Sequence, residues 1–154
     1  ENGGQVITVG AATSLAYHLD LPVSNALVEV IDGKERNLPG DKYYIPGSVL
    51  EMNVDTSSGA NYGMSEKAFV MFNNSPVFKL APEAGLQGIK PLAWFGTEPP
   101  LRSGWAWGQQ YLKNGVTAFE APVGKGRLLV YGPEITFRAQ SHGTFKMLFN
   151  GLYK

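Results

Sequence analysis

Apolar residues in this chain come in short runs separated by glycine- and proline-bearing turns, a pattern of strands more than of long helices. Gln5-Val6-Ile7-Thr8-Val9 reads as a buried strand. Residues 13–19 then read as a short helix, with Thr13 or Ser14 placed to cap its amides, Leu15 and Leu19 on one face, and Pro22 as the stop. Residues 27–31 form another strand, followed by a charged turn around 32–36. Over 48–54, Leu50, Met52 and Val54 alternate with Val49, Glu51 and Asn53, the signature of a strand with one face buried. A turn cluster at 57–63 precedes further apolar runs at 68–72, 77–80 and 92–95. Residues 116–121 and 127–131 flank Val123-Gly124-Lys125-Gly126, a hairpin signal because glycine tolerates the positive φ of tight connections. Phe145, Leu148, Phe149 and Leu152 fall at i, i+3, i+4 and i+7 and predict a closing helix with one apolar face.

Strand, helix and strand in succession imply a parallel pair at the start, whereas the late hairpin must be antiparallel. The expectation is an α/β domain with a mixed, strand-rich sheet and few helices. The 154 residues suffice for one domain, 1–154, that buries about 70% of the surface its unfolded chain exposes. Asn2-Gly3-Gly4 has the look of a turn that leaves a helix, so the fold is expected to be incomplete at its N-terminus and to be the C-terminal part of a longer chain.

Charge and composition narrow the partners. Thirteen basic residues balance thirteen acidic ones, without the basic excess a nucleic-acid binder carries, so no nucleic acid is expected as a partner. No run of eighteen apolar residues occurs, and no membrane insertion is expected. With zero cysteines, a disulfide framework, a thiolate zinc site and a cysteine nucleophile are excluded from these residues. The two histidines, His18 and His142, fall in no zinc-binding motif, and no metal site is expected. The glycines of Gly124-Lys125-Gly126 lack the spacing and following helix of a phosphate loop.

Two stretches carry candidate chemistry. The first follows the strand at 127–131 and holds Glu134, Arg138, Gln140, Ser141 and His142. A carboxylate and an imidazole can act as orienter and base, which makes Glu134 and His142 the candidate catalytic pair of a small hydrolase. No Gly-x-Ser-x-Gly elbow supplies a nucleophile. The alternative is that Glu134 and Arg138 pair with each other or with loop backbone, while His142 anchors the final helix. The second stretch, 101–111, sets Arg102, Trp105 and Trp107 among glycines. Flat aromatic faces beside guanidinium and amide groups suit a sugar ring or a peptide, so Arg102, Trp105, Trp107, Arg138 and Gln140 are the candidate ligand-binding residues. The alternative is packing, with Ser103 capping a short helix through Tyr111 and Leu112 and the indoles covering the sheet.

Residues 123–134 and 137–146, together with Gly3-Gly4-Gln5-Val6-Ile7-Thr8-Val9-Gly10, Leu21-Pro22-Val23-Ser24-Asn25, Tyr44-Ile45-Pro46-Gly47-Ser48 and Ser103-Gly104-Trp105-Ala106-Trp107-Gly108, resemble the class I glutamine amidotransferase-like C-terminal domain of bacterial zinc carboxypeptidase-like proteins. The resemblance implies a flavodoxin-like fold and an upstream peptidase domain in the same chain that carries the zinc. It also implies an extracellular or periplasmic location. This chain lacks the cysteine of class I amidotransferases, so amidotransfer is not implied. The implied role is that of a non-catalytic accessory domain that stabilises, dimerises or positions ligand for a secreted peptidase, with a homodimer among the expected partners. The binding module built on Trp105 and Trp107 and the hydrolase built on Glu134 and His142 remain the alternatives.

Overall fold

In the computed structural model, which describes residues 3–153, β1 (Gln5–Val9) lies parallel to β11 (Gly126–Tyr131), and a largely antiparallel sheet extends from that pair. Asn2 of the expected exit turn lies outside the described residues. Beyond β1 the sheet runs through β11, β10 (Val116–Val123), β8 (Lys90–Trp94), β5 (Ser48–Val54) and β6 (Lys67–Phe72). Short strands attach to this path: β9 (Leu101–Ser103) on β5, β7 (Phe78–Leu80) on β10, and β2 (Val23–Asn25) on β7. A separate hairpin pairs β3 (Val28–Ile31) with β4 (Lys34–Asn37). Among the described residues there are two α-helices, α1 (Leu15–His18) and α2 (Phe145–Leu152), with short 3-10 turns between strands.

Side-chain alternation along the central strands divides the core into two layers. On one face Leu129 and Tyr131 join Leu50, Phe72, Leu92, Phe95 and Met147; on the other, Leu128 and Val130 join Phe78, Phe119 and Ala16. Edge-to-face ring pairs tie each layer, Phe72 with Phe95 at 5.7 Å between centroids and Phe78 with Phe119 at 5.2 Å. Several buried polar groups are paired: Tyr131 Oη donates to the carbonyl of Met147, and Asn61 Nδ2 lies 2.9 Å from the carbonyls of both Asp55 and Leu92.

Four local expectations change. Residues 13–19 divide into a 3-10 turn, Gly10–Ser14, and the single turn of α1; Thr13 Oγ1 donates to the Gly10 carbonyl at 2.6 Å and caps no amide. The charged turn at 32–36 is only Asp32-Gly33, both at positive φ as an Asp-Gly hairpin turn requires, and Lys34–Asn37 is a strand. Ser103 ends β9 and caps no helix; the helical turn in that stretch is Gln109–Leu112. Finally, α2 buries Met147 and Gly151, while Phe149 and Leu152 stay 49% and 61% exposed. The reason is proximity to the sheet: a Cβ on Gly151 would sit 2.7 Å from Ile7 and 3.1 Å from Leu129, so the helix seats its smallest face and not its most apolar one.

Strand directions place the rest. Because β1, β11, β8, β6 and β9 run one way and β10 and β5 the other, one edge of the sheet gathers the carboxyl ends of the first five with the amino end of β5. The loops at 10–17, 73–76 and 104–108 all emerge there.

Candidate functional site

Trp105 and Trp107, separated by Ala106 in the segment that follows β9, set their indole rings side by side. Their indole planes lie 11° apart with centroids 6.4 Å apart, and they are 54% and 53% exposed. Tyr44 stands edge-on to Trp105 at 6.0 Å and is 45% exposed. The segment is held at several points. Tyr44 and Trp107 exchange two backbone hydrogen bonds of 3.0 Å, and Trp107 Nε1 donates to the carbonyl of Asp41 at 2.6 Å. Ser48 Oγ accepts the Trp105 N–H at 3.0 Å and lies 2.7 Å from the carbonyls of Pro46 and Trp105, to either of which it donates. The aromatic step is therefore built on backbone anchors, with about half of each ring left to solvent.

Tyr44 also borders a cleft of about 420 Å³. Its walls come from Thr13, Ser14 and Tyr17 beyond β1, Asn25 in β2, Asn37 at the end of β4, Tyr43, and the loop Asn74-Ser75-Pro76 beyond β6. Among the described residues no charged side chain lines it. Burial pushes the Tyr43 phenol well above its usual range, so it stays protonated, and its hydroxyl has no hydrogen-bond partner among the described residues. Outside the cleft, a hydrogen bond from Lys42 to Glu29 ties the β3–β4 hairpin to the segment before Tyr43 and raises the lysine's pKa.

The other candidates lie apart from this cleft. Arg102 donates to Glu51 through Nη2 at 3.0 Å and Nε at 3.3 Å, and Lys67 reaches the same carboxylate at 2.8 Å. The hydrogen bonds from Lys67 and then Arg102 hold the Glu51 carboxyl below the usual carboxylate range. Stability from this link is present above the ordinary carboxylate pKa and is lost as pH falls through the lowered folded value, below about pH 4. Glu51→Gln is expected to flatten the fall in melting temperature between pH 5 and pH 3; a wild-type melt that does not respond to acid would refute the role.

In the crossing segment, Glu134 forms a backbone bridge with Met71 of β6, Arg138 lies 5.1 Å from the ring centre of Phe137, and His142 lies 5.3 Å from the ring of Phe145. Among the described residues, neither Glu134 nor His142 has a side-chain hydrogen-bond or ion-pair partner, and Gln140 is exposed. Arg138, Ala139 and Ser141 all adopt positive φ, a strained path held by Thr144 Oγ1, which lies 2.6 Å from the Ile135 carbonyl and 2.8 Å from that of Ser141. Among the described residues no three His, Asp or Glu side chains gather as a metal site, and no helix is long and apolar enough to cross a membrane.

Sequence reasoning located the tryptophans but missed Tyr43, Tyr44, Asn37 and Asn74. The signals were the Tyr43-Tyr44 pair before Pro46-Gly47 and the Asn73-Asn74 pair in a turn, and neither declares a shared cleft without the fold.

The mixed, curled sheet and two α-helices of the described residues define a strand-rich α/β domain with an amidotransferase-like fold. Solved structures of two ThuA-like proteins match it. One, from Bacteroides uniformis, is 10% identical with a TM-score of 0.50 and is matched over 98% of this chain and 58% of its own. The other, from Parabacteroides merdae, is 13% identical with a TM-score of 0.51 and is matched over 99% of this chain and 60% of its own. The chain thus spans about 60% of the length of these neighbours. No protein-family model matches the chain, and no curated protein sequence does. The family expectation is corrected accordingly: the structural likeness is to ThuA-like proteins, and it carries no link to a zinc carboxypeptidase. The amidotransferase-like fold stands, while the peptidase domain, its zinc and the export inferred from it lose their basis.

Proposed function

We propose that this domain is a carbohydrate-binding module whose recognition surface is the step formed by Trp105, Trp107 and Tyr44. The observation that carries the reading is the near-parallel, half-exposed indole pair. Large aromatic rings ordinarily go to the core, and here three are held by backbone hydrogen bonds with about half of each ring open to solvent. Such faces suit the C–H surfaces of a pyranose ring, with hydroxyls taken by neighbouring polar groups. The neutral cleft beside Tyr44 favours a carbohydrate over a charged peptide.

Trp105→Ala and Trp107→Ala are each expected to weaken binding to a glycan array or to immobilised oligosaccharide about tenfold or more, as deletion of a hot-spot tryptophan does. The half-exposed rings contribute little to the core, so the melting temperature should change by only a few degrees. Retention of a peptide library with none of the glycans would move the ligand class to peptides. If both variants retain ligand undiminished, the step is not the recognition surface.

A further inference from the structure

We infer that the cleft bounded by Asn37, Tyr43, Tyr44 and Asn74 is a second subsite that takes one uncharged, hydroxyl-rich ring and selects the sugar that the aromatic step only grips. The inference rests on the carbohydrate reading but, Tyr44 apart, stands on different residues. Position comes first. The cleft opens beyond the carboxyl ends of β1 and β6, and the residue after β11, Gly132, abuts Pro76 in its wall. At the parallel pair β1 and β11 this is the carboxyl-end side at which parallel strands of α/β sheets present ligand sites. Its volume of about 420 Å³ falls within the ~300–1,000 Å³ of small-molecule sites.

The chemistry of the walls is selective. Among the described residues, every polar side chain lining the cleft is a neutral Tyr, Asn, Ser or Thr, and no side-chain charge among them offsets the desolvation of a phosphate, carboxylate or ammonium group. Two amides are preset. Asn37 Oδ1 accepts from Asn25 Nδ2 at 3.1 Å, and Asn74 Oδ1 accepts from the Ile45 N–H at 2.8 Å. Each bond fixes which end of the amide is occupied. The Nδ2 donors of Asn37 and Asn74 make no hydrogen bond among the described residues, and both residues line the cleft. Two amide donors left free on residues that line the cleft suit the oxygen atoms of sugar hydroxyls. Asn25, in contrast, uses both ends, donating to Asn37 and accepting the Leu27 N–H.

The test is a titration of the ¹⁵N-labelled chain with glucose, galactose and N-acetylglucosamine, and separately with glucuronate and glucosamine, followed at the side-chain amide resonances of Asn37 and Asn74. At least one neutral sugar is expected to shift both resonances saturably, and the charged pair should not. Asn37→Asp and Asn74→Asp keep the accepting oxygen and replace the donor, and each should weaken that sugar at least fivefold. Tyr17→Phe, which removes a hydroxyl at the rim and keeps the ring against Phe78, gives a second reading if an Asp variant unfolds; it should weaken the same sugar. Silent amide resonances with all three neutral sugars, or equal shifts with the charged ones, overturn the subsite. If oligosaccharide binding is then still lost in Trp105→Ala, the aromatic step stands without the cleft. If the amides respond to sugar while the tryptophan variants bind normally, the step is refuted and the subsite remains.

Discussion

Gly132→Ala is expected to destabilise the fold by about 3 kcal/mol or more, lowering the melting temperature by about 10 °C, or to prevent folding. A Cβ at this position would overlap the carbonyl oxygen of Pro76 and approach that of Thr117 to 3.2 Å. Both neighbours are main chain, so no rotamer change relieves the clash. The Gly132 N–H meanwhile donates to the Thr117 carbonyl at 2.8 Å, which pins the end of β11 against β10. Retreat of either strand would break that bond or open the core beside Tyr131 and Phe72. The effect extends to function, because displacing Pro76 displaces Asn74 and Ser75 in the cleft wall. Thermal denaturation and the Asn74 amide resonance would read both consequences. A variant that melts within a degree or two of wild type would show that the contact is not rigid.

Gly108→Ala is expected to disconnect the aromatic step from the sheet while leaving the rest of the fold in place. Gly108 adopts φ +77, a region that costs an L residue about 1–2 kcal/mol, and a Cβ there would overlap the Lys42 carbonyl oxygen and come within 3.0 Å of Tyr43 Cα. Relief requires residues 107–108 to move away from 42–44. That movement breaks the paired bonds between Tyr44 and Trp107 and the indole bond to Asp41. The expected stability loss is about 2–3 kcal/mol. The more telling result is local: the near-ultraviolet dichroism of the coupled indoles should collapse and oligosaccharide binding should fall at least tenfold, with the far-ultraviolet spectrum unchanged. Full binding by a variant with an altered indole signal would separate the stacked arrangement from recognition.

The legible parts of the fold were those governed by local rules. Strand Ser48–Val54 declared itself by alternation, and the β10–β11 hairpin by a turn that needs glycine. The closing helix was visible as a helix, but its buried face was misjudged, because hydrophobic periodicity counts apolar residues and ignores how near the backbone must come. At Gly151 that approach outweighed Phe149 and Leu152. Strand Lys34–Asn37 was hidden by its charge: all four residues are exposed, and their strand state comes from pairing with Val28–Ile31. The tryptophans were found by residue type, but whether they pack or face solvent depends on Ser48, Asp41 and Tyr44, which are far from them in the chain.

By itself the sequence determined an α/β chain with a mixed, strand-rich sheet and few helices, because period-two patterning and turn chemistry act over a few residues. It also determined a chain without net charge or cysteine, and a pair of tryptophans set among glycines as the place to look. Only the tertiary structure decided that the loops after β1, β6 and β9 emerge at one edge of the sheet. There they join Trp105 and Trp107 through Tyr44 to a neutral cleft. That arrangement follows from strand order and direction, which are set by contacts between segments as distant as Val9 and Tyr131 and have no local signature.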